Sequence, residues 1–177
     1  MPVIHHAFKC EHKGNCMSPK DFGKLVGCVL LCQIAGVIGA LFTVRSIPTW
    51  YARLNKPWFN PPNQIFSPVW IVLYVLMGIA LFLVWQKYEK AKDKSGAREA
   101  MQMFAVQLLL NSAWSIVFFG FQSPVAALIV VVLLWASIIN TIMKFYKISK
   151  TAAYLLAPYI AWVTFAAVLN FFIIILN

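Results

Sequence analysis

Charge is scarce in this chain, and negative charge scarcest of all. Of 177 residues only 11% are charged, and five Asp and Glu stand against fifteen Lys and Arg, a net of +10. Soluble domains carry about 25% charged residues. A soluble globular domain is therefore excluded, and so is a charge-rich disordered chain. The length, about one domain's worth by the usual prior, excludes a large multi-domain enzyme. Cysteine is also rare: there are four, and none lies in a C-x2-C motif. What is abundant is apolar: 62% of residues are hydrophobic and the mean hydropathy is +0.77. These values describe a small polytopic membrane protein.

The few charges are clustered, and the gaps between clusters count the spans. Leu25–Val44, Pro57–Gln86, Ala100–Met143 and Thr151–Asn177 are neutral over 20, 30, 44 and 27 residues. About 20 apolar residues in a helix cross the ~30 Å hydrocarbon layer. The longest stretch accommodates two spans, divided at Gly120-Phe121-Gln122-Ser123-Pro124, where proline suits the first turn of a new helix but not the interior of the old one. The expected fold is an all-α bundle of five transmembrane helices, about 22–44, 67–87, 100–120, 124–145 and 152–176. Residues 1–21 form a basic tail and 22–177 the membrane domain. Barrel strands of about 10 alternating residues do not fit runs this continuous.

The connections are lopsided in charge. Twelve basic residues fall on the side of the N-terminus and the second and fourth connections, and three, Arg45, Arg53 and Lys56, on the other. The positive-inside rule predicts a cytoplasmic N-terminus and an outside C-terminus. The first 20 residues lack an apolar core, so no cleavable signal peptide is expected. His5, His6, Cys10, His12 and Cys16 crowd the tail, but their spacing fits no zinc motif, and a solvated tail with no metal site is the expectation. Cys28 and Cys32, four apart on the first helix, are expected to be buried as small apolar residues. Basic soluble chains suggest nucleic acid, but this charge layout points to the bilayer as partner.

The neutral stretches hold no Asp, Glu, Lys, Arg or His. Proton-coupled carriers need such groups, and acid–base catalysis has nothing to work with. No inverted repeat is visible, which further disfavours coupled transport. Polar residues inside the spans are amides and hydroxyls. Gln107, Asn111, Trp114 and Ser115 share one helical face, as do Tyr159, Trp162, Ala166 and Asn170. Such stripes line a small-molecule pocket or form a packing seam, and periodicity leaves both open. Gly23-x3-Gly27 and Gly36-x2-Gly39-Ala40 permit close helix contact, between protomers or within one.

Ser46–Trp70 holds five of the nine prolines and three of the seven tryptophans. Aromatics argue against disorder there, and prolines lower the entropy lost on ordering. The reading is a long, ordered, partly helical first loop folded over the outer helix ends, at a density of proline that an interfacial aromatic belt does not need.

Three motifs carry a family resemblance. Trp50-Tyr51-x-x-Leu54-x-Lys56-Pro57-x-x-x-Pro61-Pro62 continues into Phe66-x-Pro68-x-Trp70. Gln107-Leu108-x-x-Asn111-x-x-Trp114-Ser115-x-x-Phe118-Phe119 follows, then Pro158-Tyr159-x-x-Trp162-x-x-Phe165-Ala166-x-x-Leu169-Asn170. Together, over about residues 25–176, they resemble the translocator protein family, also called peripheral benzodiazepine receptors or tryptophan-rich sensory proteins. The resemblance implies a five-helix homodimer that binds tetrapyrroles such as protoporphyrin IX and haem, and benzodiazepine-site ligands, in a pocket capped by the first loop. No further cofactor is required. Carried over by position, the pocket comprises Trp50, Tyr51, Trp70, Asn111, Trp114, Tyr159, Trp162 and Ala166, with Arg53 and Lys56 at the mouth for a propionate. Receptor or sensor is the function implied. The alternatives are light-dependent porphyrin degradation, with Trp70 and Trp162 as the reactive indoles, and passive transfer of tetrapyrroles or lipids. The sterol pattern that animal members carry in the fifth helix is missing from Phe171–Asn177. Only a loose match, Val84-x3-Tyr88-x-Lys90, occurs elsewhere.

Overall fold

The computed structural model describes residues 18–177. The His/Cys cluster of the tail lies outside the described residues. Helix α1 is Pro19–Ser46, α2 Asn63–Lys90, α3 Ser95–Ser115, α4 Pro124–Ile148, α5 Lys150–Leu155 and α6 Ala157–Leu176. Wider π-turns carry α1 on through Ile47–Tyr51 and α3 through Ile116–Gly120. With α5 and α6 forming one broken span, five spans are long and apolar enough to cross a membrane. The chain is an integral, multi-pass membrane protein with an all-α bundle.

Local chemistry sets the helix ends. Ser18 caps α1, its hydroxyl accepting from Lys20 N–H at 3.3 Å, with Pro19 and Asp21 in the first turn. Asp93 accepts the Ser95 N–H at 2.9 Å at the head of α3. That backbone bond, aided by the Ser95 hydroxyl, holds the Asp93 carboxyl below its ordinary range. Ser149 caps α5 by accepting from Ala152 N–H at 3.3 Å. The turn from α3 to α4 contains Gln122 in the left-handed region, φ 54°.

Most expected boundaries moved by a few residues, the third span for instance beginning at Ser95 rather than about 100. The first span does not stop near 44 but runs to Tyr51, because the π-turn admits Pro48 near its start, where a missing N–H costs little. The second begins at Asn63, before its Pro68. The connection between them is thus Ala52–Pro62, eleven residues rather than about twenty. The fifth span is broken at Leu156, since Pro158 lacks the N–H that would continue the ladder from α5.

Around the bundle the order is α1, α2, α5–α6, α4, α3, with α3 against α4 and α1 against α2 the most extensive pairings. Gly78 lets the α1 backbone close in: a Cβ there would sit 2.5 Å from Val29 Cα. Gly36 lies against the Tyr74 ring and Gly39 against Ser115, so this pair packs within the protomer, whereas Gly23 and Gly27 face open space. Cys28 and Cys32 are buried and free. The main core gathers Met77, Val84, Phe104, Leu134, Ile138 and Phe145, with Phe104 and Phe145 stacked at 5.8 Å. Lys24–Glu89 at 2.6 Å and Lys144–Glu99 at 3.0 Å tie helices together at this basic end.

Candidate functional site

At the opposite, aromatic end the helices do not close. A cavity of about 260 Å³ lies among α1, α2, the end of α3 and α6. Its walls include Gly36 from α1, Trp70 and Tyr74 from α2, Trp114 from α3, and Trp162 and Ala166 from α6. Glycine at 36 matters here, because any side chain would collide with the Tyr74 ring that forms the floor. Trp70 stacks on Tyr74 at 5.5 Å and meets Tyr159 edge-on at 6.3 Å. Trp114 stacks on Phe118 at 5.4 Å, and Trp162 tilts against Phe165 at 5.5 Å. Indole and phenol faces thus surround an apolar space. Flat ligands are held in such a space by stacking and water exclusion.

A chain of hydrogen bonds lies behind this wall. Tyr74 donates to Asn111 Oδ1. Asn111 Nδ2 donates to the Tyr159 oxygen at 3.0 Å, and Tyr159 donates to Gln107 Oε1 at 2.8 Å. Gln107 Nε2 is the one buried side-chain polar atom left without a partner among the described residues. The network spans α2, α3 and α6, and it fixes the rings whose faces form the floor.

The structure divides the eight residues carried over by resemblance into three groups. Trp70, Trp114, Trp162 and Ala166 line the cavity. Asn111 and Tyr159 are buried behind it, and both ends of the Asn111 amide are engaged by tyrosines rather than turned toward the space. Trp50 and Tyr51 lie nearer the end of the bundle, on Phe118 at 5.5 and 6.2 Å. There Tyr51 lines a recess of only about 20 Å³ and donates to Asn60 Oδ1 at 2.7 Å. At the mouth, Arg53 is exposed. Lys56 is turned back onto the carbonyls of Tyr51 and Leu54 at 2.8 and 2.7 Å, where a cation completes a helix C-terminus.

The two stripes prove to be both pocket and seam. Trp114, Ser115, Trp162 and Ala166 face the cavity. Gln107, Asn111 and Tyr159 hold the network, and Asn170 accepts from Trp114 Nε1 at 3.4 Å while donating to Pro124 O at 2.9 Å. Tyr74 escaped sequence reasoning, although the Trp70-x3-Tyr74 spacing, one helical turn apart, was a signal for it. Gly36 stood out for its small-residue spacing, but its neighbour, Tyr74, comes from another helix and no spacing shows it.

The connection Ala52–Pro62 lies across the helix ends. Phe59 packs edge-on against Phe172 at 5.3 Å and Phe165 at 6.2 Å. Asn55 N–H donates to Asn177 Oδ1 at 2.9 Å, and Asn177 Nδ2 returns a bond to Asn55 O at 3.0 Å. Of the aromatic residues in this connection, Trp58 points away, 95% exposed.

This fold and cavity define a class: a five-span membrane protein with an aromatic-walled interior space near one face. Residues 28–176 match the model of the TspO/MBR family, and the chain belongs to that family. It is 44% identical over 162 residues to the tryptophan-rich protein TspO of Chlorobaculum tepidum, covering 89% of this chain and 98% of that one. It is 42% identical to the protein of the same name in Archaeoglobus fulgidus, over 87% and 97% of the two chains. To the translocator protein of Bos taurus it is 37% identical, over 82% and 85%.

Proposed function

We propose that this chain is a membrane receptor for flat lipophilic ligands, with tetrapyrroles such as protoporphyrin IX and haem as the leading class. The observation that carries the reading is the convergence of Trp70, Trp114 and Trp162 on one apolar cavity. In this reading the Pro/Trp-rich connection is an ordered cap, supported by its bonds to Asn177 and its Phe59 contacts. The excess of basic residues at the other end supports a cytoplasmic N-terminus, so the cap faces outside. The functional unit is a homodimer, by resemblance to the family. Ligand recognition is by ring stacking and shape, because Asn111 is committed to its tyrosines and Lys56 to backbone carbonyls.

The test is a titration of purified protein with protoporphyrin IX in the dark, followed by tryptophan quenching with free indole as control. Saturation near one equivalent per protomer is expected, weakened at least tenfold in Trp162→Ala. Quenching no different from free indole would remove the tetrapyrrole and leave other lipophiles. A second reading, light-driven degradation of porphyrin with dioxygen as oxidant, is favoured by Trp70 and Trp162 sharing the cavity. Illuminating the same samples decides it: many turnovers that vanish in Trp70→Phe support an enzyme, and a halt at one equivalent marks photodamage.

A further inference from the structure

The cavity holds about 260 Å³, below the ~300–1,000 Å³ usual for small-molecule sites. A macrocycle of four pyrroles with its substituents needs more than this space offers. Extra room lies immediately behind one wall. On the lipid-facing side, between α2 and α6, runs an almost wholly apolar groove of about 630 Å³. Pro68, Val69 and Val72 form its α2 side, and Pro158, Ala161 and Phe165 its α6 side. Among the described residues, Trp162 is the only one that lines both the groove and the cavity. Its indole therefore stands between the two spaces, in the gap between the helices.

The groove follows from the backbone. α2 packs closely on the short α5 but barely touches α6 beyond the break at Leu156. Pro68 in α2 and Pro158 at the head of α6 both lack an N–H, and both sit on the groove. Proline bends or interrupts a helix at such points, and here the two helices part. Trp162 fills the gap without being fastened in it. Among the described residues the indole N–H groups of Trp114 and Trp135 bond to Asn170 and Thr164, and those of the other five tryptophans, Trp162 included, have no partner. Its neighbours are edge and tilted ring contacts to Phe66 at 6.0 Å and Phe165 at 5.5 Å, and it is only half-buried. Ring contacts of this kind survive a change of angle far better than a hydrogen bond does.

We propose that Trp162 is a movable partition. Turning its indole joins cavity and groove into one site, within the usual volume range, which seats a flat macrocycle with its far edge against lipid between α2 and α6. The proposal rests on the tetrapyrrole reading and adds to it a size rule: large flat ligands use the groove.

The experiment fills the groove from residues that do not line the cavity. Ala161→Trp and, on the other wall, Val72→Trp are compared in lipid nanodiscs with wild type and with Ala136→Trp. Ala136 is an exposed position on α4, away from the groove. Protoporphyrin IX is titrated in the dark and followed by its Soret shift. At least tenfold weaker binding in Ala161→Trp and Val72→Trp, with Ala136→Trp like wild type, is the expected result. Wild-type affinity in both groove variants would overturn the partition while the tetrapyrrole reading stands. Equal weakening in Ala136→Trp would also overturn it, as general damage. Absence of saturable binding to wild type would remove both readings.

Discussion

The two ends of this bundle are built from similar residues and behave as different materials. From the middle of the bundle to its basic end, Phe104, Phe145, Leu134, Ile138, Val84 and Met77 are all buried to 1% exposure or less, and Phe104 stacks on Phe145. Two ion pairs tie helices there, and both long helices near it keep α-geometry. At the aromatic end the ring pairs are mostly edge-on or tilted, both π-turns occur, and cavity and groove remain open. Close packing leaves no room for a ligand, and a site requires that packing be given up locally. The bundle concentrates its rigidity at one end so that the other can be loose. The two π-turns sit side by side, joined by the Ser46 hydroxyl donating to Phe119 O, and widened turns of this kind recur at functional sites.

The comparison is broken most forcefully at the basic end. Phe104→Ala removes a fully buried ring stacked on Phe145 and is expected to cost about 3–5 kcal/mol. Reversible unfolding in mixed micelles measures it, and the protein that remains folded should bind ligand with unchanged affinity. A loss of affinity without loss of stability would show that the ends are not separate.

A smaller effect is expected where the regions meet. Tyr159→Phe deletes the bond to Gln107 and strips Asn111 Nδ2 of its acceptor, while ring packing is kept. Hydrogen bonds between membrane helices are worth about 0.6–1.7 kcal/mol each, so a loss of about 1–2 kcal/mol is expected by the same unfolding assay. Ligand affinity should fall only if the floor formed by Tyr74 shifts. The smallest effect belongs to the surface pair. Lys24→Ala, which removes the partner of Glu89, should cost about 0.2–1 kcal/mol. Raising the salt should erase the difference, since both groups are partly exposed.

Much of this architecture was legible along the chain. Neutral stretches long enough for a bilayer, and a Gln-Ser-Pro interruption in the longest, are enough to count spans, because lipid forces every backbone group into helical bonding. Trp70, Trp114 and Trp162, which the family resemblance puts together, line one cavity, and for Trp114 and Trp162 the helical stripe in the sequence shows the face. A free lysine and a helix-capping lysine have the same sequence signature, and only the path of the preceding residues brings their carbonyls to Lys56. Nothing in a one-dimensional stripe reveals that Tyr74 and Tyr159 reach Asn111 from two other helices. The break at Leu156 was in principle readable from Pro158. It was overlooked because hydropathy runs through it uninterrupted.

By itself, then, the sequence determined the solvent and the number of spans, since these depend on hydropathy and length, which are local. The tertiary structure alone decided which polar residues satisfy one another, where glycines admit rings, and that Trp162 lines both the cavity and the groove between α2 and α6. Those outcomes depend on distances between residues far apart in the chain, and no local pattern encodes them.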